Sequence, residues 1–160
     1  MTTLSVYKFE TAEGAQQGLD LVEELSKQEL IEVHDAAIVT WPDGKNRPKT
    51  KQLVSLIGAK ALDGAFWGML FGFIFFVPFF GLAVGAAMGA LSGKFADYGI
   101  NDQFIKSVQE KVTKGTSALF LLTSKAVMDK ISDAAKDLEF ELIYTNLSQE
   151  QETELRNSFA

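Results

Sequence analysis

No charged residue occurs between Asp63 and Lys94, and this run of thirty residues, Gly64 to Gly93, constrains the fold more than any other feature of the chain. An apolar stretch longer than about 18 residues can cross a bilayer whose hydrocarbon core is about 30 Å thick. Glycines recur inside the run with a fixed period. Gly64, Gly68 and Gly72 lie four apart, and so do Gly81, Gly85, Gly89 and Gly93. Residues four apart share one helix face, so each arm carries a smooth stripe along which two backbones can approach closely in lipid. Ala65, Ala83, Ala86, Ala87 and Ala90 add small residues nearby.

Between the two stripes sits Phe75-Phe76-Val77-Pro78-Phe79-Phe80. Pro78 has no N–H and clashes with the preceding turn, so a helix kinks or stops there. The segment reads either as one kinked span or as a hairpin tipped by Phe75, Phe76, Phe79 and Phe80. One helix of this length would be about 45 Å long, too long for an upright span, while each half alone reaches only about 22 Å. Extension back through Leu53–Leu62 and forward to Tyr98 restores a crossing length. The organisation of the rest of the chain decides for the hairpin.

That rest is ordinary α+β sequence. Leu4 to Phe9 reads as a strand, and Thr11 offers an N-cap hydroxyl to a helix marked by Ala15, Leu19, Val22, Leu25 and Glu29 or Leu30. Val33 to Trp41 reads as a second strand, closed by Pro42-Asp43-Gly44. The plan repeats after the insertion. Thr116 to Thr123 makes a strand; Val127, Ile131, Ala134, Ala135 and Leu138 mark a helix; Phe140 to Thr145 alternates as a strand. Two strand–helix–strand units predict a ferredoxin-like βαβ-βαβ sandwich formed by residues 1–44 and 116–147, with residues 45–115 inserted and a short C-terminal helix over 148–160. The second and third strands of this fold are neighbours, so both ends of the insertion leave one edge of the domain. A single span would separate the halves across a membrane, and neither could bury its sheet. Asn101 or Asp102 is expected to cap a helix that ends before Gly115, with Phe104, Ile105, Val108 and Val112 as its apolar stripe. Leu119 to Leu122 is continuously apolar, so both sheet faces are expected to be buried, by that helix or by a second copy.

Charge orients the insertion. From Asp43 to Leu62 there are five cations, Lys45, Arg47, Lys49, Lys51 and Lys60, against Asp43 alone, on a chain of net charge -6. Lys94 follows the second arm. Basic flanks stay on the cytoplasmic side and meet anionic headgroups, so the expected location is the inner (cytoplasmic) membrane with both termini in the cytoplasm. The first residues, Met1-Thr2-Thr3-Leu4-Ser5, do not read as a secretory signal. Trp41, Trp67 and Tyr98 are candidates for the membrane interface, Trp41 equally for the core.

The chemistry of catalysis is missing from the sequence. There is no cysteine and a single histidine, His34 beside Asp35, with no motif supplying a nucleophile. No phosphate-binding or dinucleotide motif occurs, so no cofactor and no small-molecule substrate is expected. The acidic balance argues against nucleic acid. The order of parts resembles the bacterial domain-of-unknown-function 1269 family of predicted membrane proteins. The resemblance rests on Leu4-Ser5-Val6-Tyr7-Lys8-Phe9, on the zipper from Gly64-Ala65-Phe66-Trp67-Gly68 to Gly89-Ala90-Leu91-Ser92-Gly93, and on Gly115-Thr116-Ser117-Ala118-Leu119-Phe120-Leu121-Leu122. It implies membrane association over nearly the whole chain and supplies no catalytic residues. Three functions are compatible with these features: a non-enzymatic membrane protein that self-assembles as a homo-oligomer in contact with lipid, an oligomeric pore, and a soluble assembly that sequesters the hairpins with lipid.

Overall fold

A computed structural model describes residues 2–44, 48–52, 64–76, 99–124, 136 and 138–150. These form an α+β unit in the order β1 (Thr2–Phe9), α1 (Gly14–Lys27), β2 (Glu32–Thr40), β3 (Lys49–Gln52), α2 (Gly64–Phe71, continued by a π-helical turn Gly72–Phe76), α3 (Asp102–Lys111), β4 (Ser117–Ser124) and β5 (Glu141–Leu147). The five strands make one antiparallel sheet in the order β3-β2-β4-β1-β5. The four expected strands thus lie in the order β2-β4-β1-β5, which pairs the second with the third as the sequence requires. The second crossover helix falls outside the described residues, apart from Lys136 in a turn and Leu138 in a bend.

Register explains the continuous apolar run in β4. Leu119 and Leu121 point to one face and pack with Phe9, Ala15, Leu19, Val22 and Ala36 beneath α1. Ala118, Phe120 and Leu122 point to the other and pack with Leu4, Val6, Ala37 and Val39 beneath α2 and α3. Alternation sends successive side chains to opposite faces, so a strand covered on both sides has no polar position to spare.

Local signals set the helix ends. Asn101 caps α3, its Oδ1 accepting from the Phe104 N–H at 2.9 Å. The expected Thr11 cap on α1 is not made. Glu13 occupies the N-cap position without a side-chain bond. Ser117 of β4 serves instead, its Oγ accepting from the Ala15 N–H at 2.9 Å and donating to the Thr11 carbonyl at 2.7 Å. The far end of α1 closes as a Schellman motif, with Leu30 N–H on the Leu25 carbonyl and Glu29 N–H on that of Ser26. Glu29 takes the left-handed position, φ 59°, that glycine usually fills.

The insertion is tied at its root. Past the end of the β2–β4 ladder, the Trp41 N–H donates to the Thr116 carbonyl at 3.0 Å, and the Gly115 N–H donates to the Trp41 carbonyl at 2.6 Å. Gly115 has φ +84°, a left-handed conformation that side-chain-bearing residues rarely adopt, so the turn at the root favours glycine.

Candidate functional site

The apolar insertion is the candidate site, and its first arm can be placed. α2 and its π-helical turn lie over the sheet face opposite α1. Trp67, Leu70, Phe71, Ile74 and Phe75 are each no more than 3% exposed and join one core with Leu4, Val6, Phe120 and Leu122. The contacts are aromatic. Trp67 stacks on Phe71 at 5.5 Å; Phe71 meets Phe120 edge-on at 5.0 Å; Phe75 meets Trp41 edge-on at 6.3 Å. Burying each of these large side chains contributes about 1.5–3 kcal/mol. The second wall is α3, through Phe104, Ile105, Val108 and Val112. The Asn101 helix therefore covers this sheet face, which was expected to be buried by that helix or by a second copy.

Several expected positions are placed differently. Phe75, expected at a lipid-facing tip, is buried between Trp41 and Phe71. Trp67 is core, not an interfacial anchor. Gly64 begins α2; Gly68 is exposed and Gly72 half-buried, with nothing among the described residues within 4 Å of a Cβ built on either. The glycine stripe of this arm thus faces away from the sheet. Phe76 ends the π-helical turn. Lys49 and Lys51, expected at headgroups, belong to the edge strand β3, where they pair in register with Thr40 and Ile38. Strand alternation assigns Lys49 to the α1 side with Ile38, opposite α2. Lys45, Arg47, Lys60, Pro78, Phe79, Phe80, Gly81, Gly85, Gly89, Gly93 and Lys94 lie outside the described residues. Among the described residues, no helix is long and apolar enough to cross a membrane.

Charged groups close the end of the sheet below α3. Lys8 is buried and reaches Glu10 at 2.6 Å and Glu141 at 3.9 Å, while Lys111 bonds Glu141 at 2.8 Å. The Lys111 hydrogen bond, then its charge, hold the Glu141 carboxyl below its ordinary value. On the α1 face, burial pushes the Tyr7 hydroxyl up, partly offset by a hydrogen bond with Ser5. His34 sits at the irregularity between Val33 and Asp35, with Nε2 3.9 Å from Glu32, while Asp35 Oδ1 accepts from the Ala36 N–H at 2.8 Å. No group of three metal-ligating side chains occurs among the described residues.

The sequence matches the family described as "Protein of unknown function (DUF1269)" over residues 61–160. The chain belongs to the DUF1269 family. The match starts inside the insertion and runs to residue 160, so it covers α2, α3, β4 and β5 together with the rest of the insertion. The resemblance expected across nearly the whole chain is thereby narrowed: the β1–α1–β2 half, with Leu4 to Phe9, falls outside the match. No curated protein and no solved structure gives a match.

Proposed function

We propose that this DUF1269 protein is a non-enzymatic, membrane-associated structural protein that self-assembles as a homo-oligomer through its apolar insertion and its α+β domain. The observation that carries the reading is the charge-free run from Gly64 to Gly93, joined to a sheet whose ladder ties the root of the insertion between Trp41 and Gly115–Thr116. A hairpin rooted at one point enters a bilayer from one side and returns to it, leaving both termini in the cytoplasm. Glycine stripes facing away from the sheet, as at Gly68, suit close packing against another helix of the same kind.

A second reading has its own observation. α2 is seated on the sheet, and lifting it off would expose Phe120, Leu4 and Leu122 to water. Lipid tails offer α2 no hydrophobic gain over protein, since both are apolar. The docked arm therefore favours a shallow insertion carried by the residues after Phe76, or an assembly that shields them together with lipid.

Membrane fractionation separates the readings. The membrane protein stays in the pellet through alkaline carbonate and floats with vesicles, and detergent-solubilised chain runs as a defined multimer by light scattering. Release into the carbonate supernatant as a discrete multimer selects the shielded assembly. Recovery as a water-soluble monomer contradicts both.

A further inference from the structure

The two edges of the sheet are built differently. β3 has four residues, and Lys49 and Lys51 stand among them. Charge of that kind keeps an edge strand from pairing with another chain. β5 closes the other edge with seven residues, Glu141–Leu147, paired to β1 on one side and to no other strand among the described residues. It holds no proline and one charge, and that charge, on Glu141, is engaged by Lys111 of the same chain at 2.8 Å. A long edge with so little charge is a template for a further strand. Apolar exposure gathers there as well. Among the described residues, the large apolar side chains left exposed are Phe140 at 36%, Leu142 at 43% and Tyr144 at 59%. Leu142 pairs with Tyr7 and Tyr144 with Ser5, so both lie on the α1 side of the sheet. Phe140 is used within the chain, edge-on to Tyr7 at 5.4 Å and 6.1 Å from Phe9. Leu142 and Tyr144 make the outward surface.

We propose that β5 pairs with β5 of a second copy of this chain, antiparallel about a two-fold axis at Ile143 normal to the sheet, so that the two sheets join as one. The order of residues in the strand selects this partner and this register. Leu142 and Tyr144 bracket Ile143, so the axis sets Leu142 opposite the partner's Tyr144 and Tyr144 opposite the partner's Leu142. Aromatic and aliphatic side chains in such directly opposed positions attract each other across a strand pair. The same axis sets Glu141 opposite the partner's Thr145, so no like charges meet. Moving the axis to Tyr144 would set Leu142 opposite the partner's Asn146 and lose both apolar pairs. The interface is isologous and closes at two chains, leaving β3 as the guarded edge at each end. The inference rests on the homo-oligomer reading and names the domain surface that takes part in it. A lone pair of edge strands is weak in water, and chains gathered by their insertions raise the local concentration of this edge.

The test uses the full chain, whose lack of cysteine gives a clean background. Leu142→Cys and Tyr144→Cys, both at exposed positions, are made as separate variants with different tags and checked for unchanged circular dichroism. They are expressed singly and together and treated with a mild oxidant. Directly opposed Cα atoms, about 4.5–5.5 Å apart, lie within reach of a disulfide, whereas identical positions in this register do not. Co-expression is expected to give a disulfide-linked heterodimer that neither variant gives alone. Tyr144→Lys, which puts a cation on the edge, is expected to weaken the dimer about two- to thirtyfold on dilution in detergent, the worth of two apolar cross-strand pairs. No heterodimer, equal linkage by each variant alone, or an unchanged affinity in Tyr144→Lys overturns the proposal. If linkage fails while the chain still floats and runs as a multimer, assembly through the insertion stands and only the edge pairing is lost. If the heterodimer forms in a chain that does not float, the edge pairing stands and the membrane reading falls.

Discussion

α1 and α2 cover opposite faces of the same sheet, and both carry glycines four residues apart, Gly14 and Gly18 on one, Gly64, Gly68 and, in its π-helical turn, Gly72 on the other. On α1 the pair is pressed against the sheet. A Cβ on Gly14 would stand 2.4 Å from Phe9 Cβ, and one on Gly18 would stand 2.7 Å from Phe9 Cζ. On α2 a Cβ at Gly68 or Gly72 meets nothing among the described residues within 4 Å, and the helix holds the sheet with Trp67, Leu70 and Phe71 instead. The same spacing thus marks a packing face in one helix and an outward face in the other. Periodicity says which residues share a face; only the surrounding residues say what that face meets.

The largest expected effect tests the α2 side of this contrast. Phe120→Ala removes the ring under Trp67 and Phe71 and should cost about 3–5 kcal/mol in chemical denaturation. A loss under about 1 kcal/mol would mean that α2 is not seated there. Next, Gly18→Ala forces a methyl into the Phe9 ring and should cost about 1–3 kcal/mol; a neutral result would remove the close approach of α1. Ser117→Ala takes away the cap that β4 gives α1 and should cost about 0.5–2 kcal/mol, read from the denaturation midpoint. Gly68→Ala has the opposite sign. With open space at its Cβ, alanine should stabilise the domain by about 0.5–1 kcal/mol through helix propensity. The same change should weaken the multimer in detergent, because it roughens the outward glycine face. Destabilisation by Gly68→Ala would place that face in the core.

The smallest effect is electrostatic. Lys111 lowers the pKa of Glu141, so the folded state gains from the carboxylate at neutral pH and loses that gain as pH falls through the carboxylate range. Glu141→Gln should flatten the acid limb of the stability profile and leave the limb above neutral pH unchanged. An acid limb that keeps its slope would show that the pair with Lys111 does not form in solution.

Much of this architecture was legible from residue order. The strands at Leu4–Phe9, Val33–Trp41, Thr116–Thr123 and Phe140–Thr145 were visible from alternation and β-branched or aromatic content, and Asn101 announced its helix. The two-sided apolar run in β4 correctly implied two covered faces. What stayed hidden has physical causes. β3 is Lys-Thr-Lys-Gln, an edge strand whose charge protects it from pairing further and also removes any apolar alternation. Ser117 caps a helix more than a hundred residues earlier, a contact no local pattern can contain. α2 is apolar on all sides, so its composition suits lipid and protein equally; Phe75 was expected at a tip because it stands beside Pro78 between the glycine stripes, and nothing in that local pattern shows that Trp41 and Phe71 enclose it.

The sidedness of the insertion is the central claim, and the chain's lack of cysteine makes it directly measurable. Single variants Lys45→Cys and Lys94→Cys can be labelled with a membrane-impermeant maleimide in right-side-out and inside-out vesicles. Both should react only in inside-out vesicles, on the cytoplasmic side. Reaction of the two from opposite sides would contradict it.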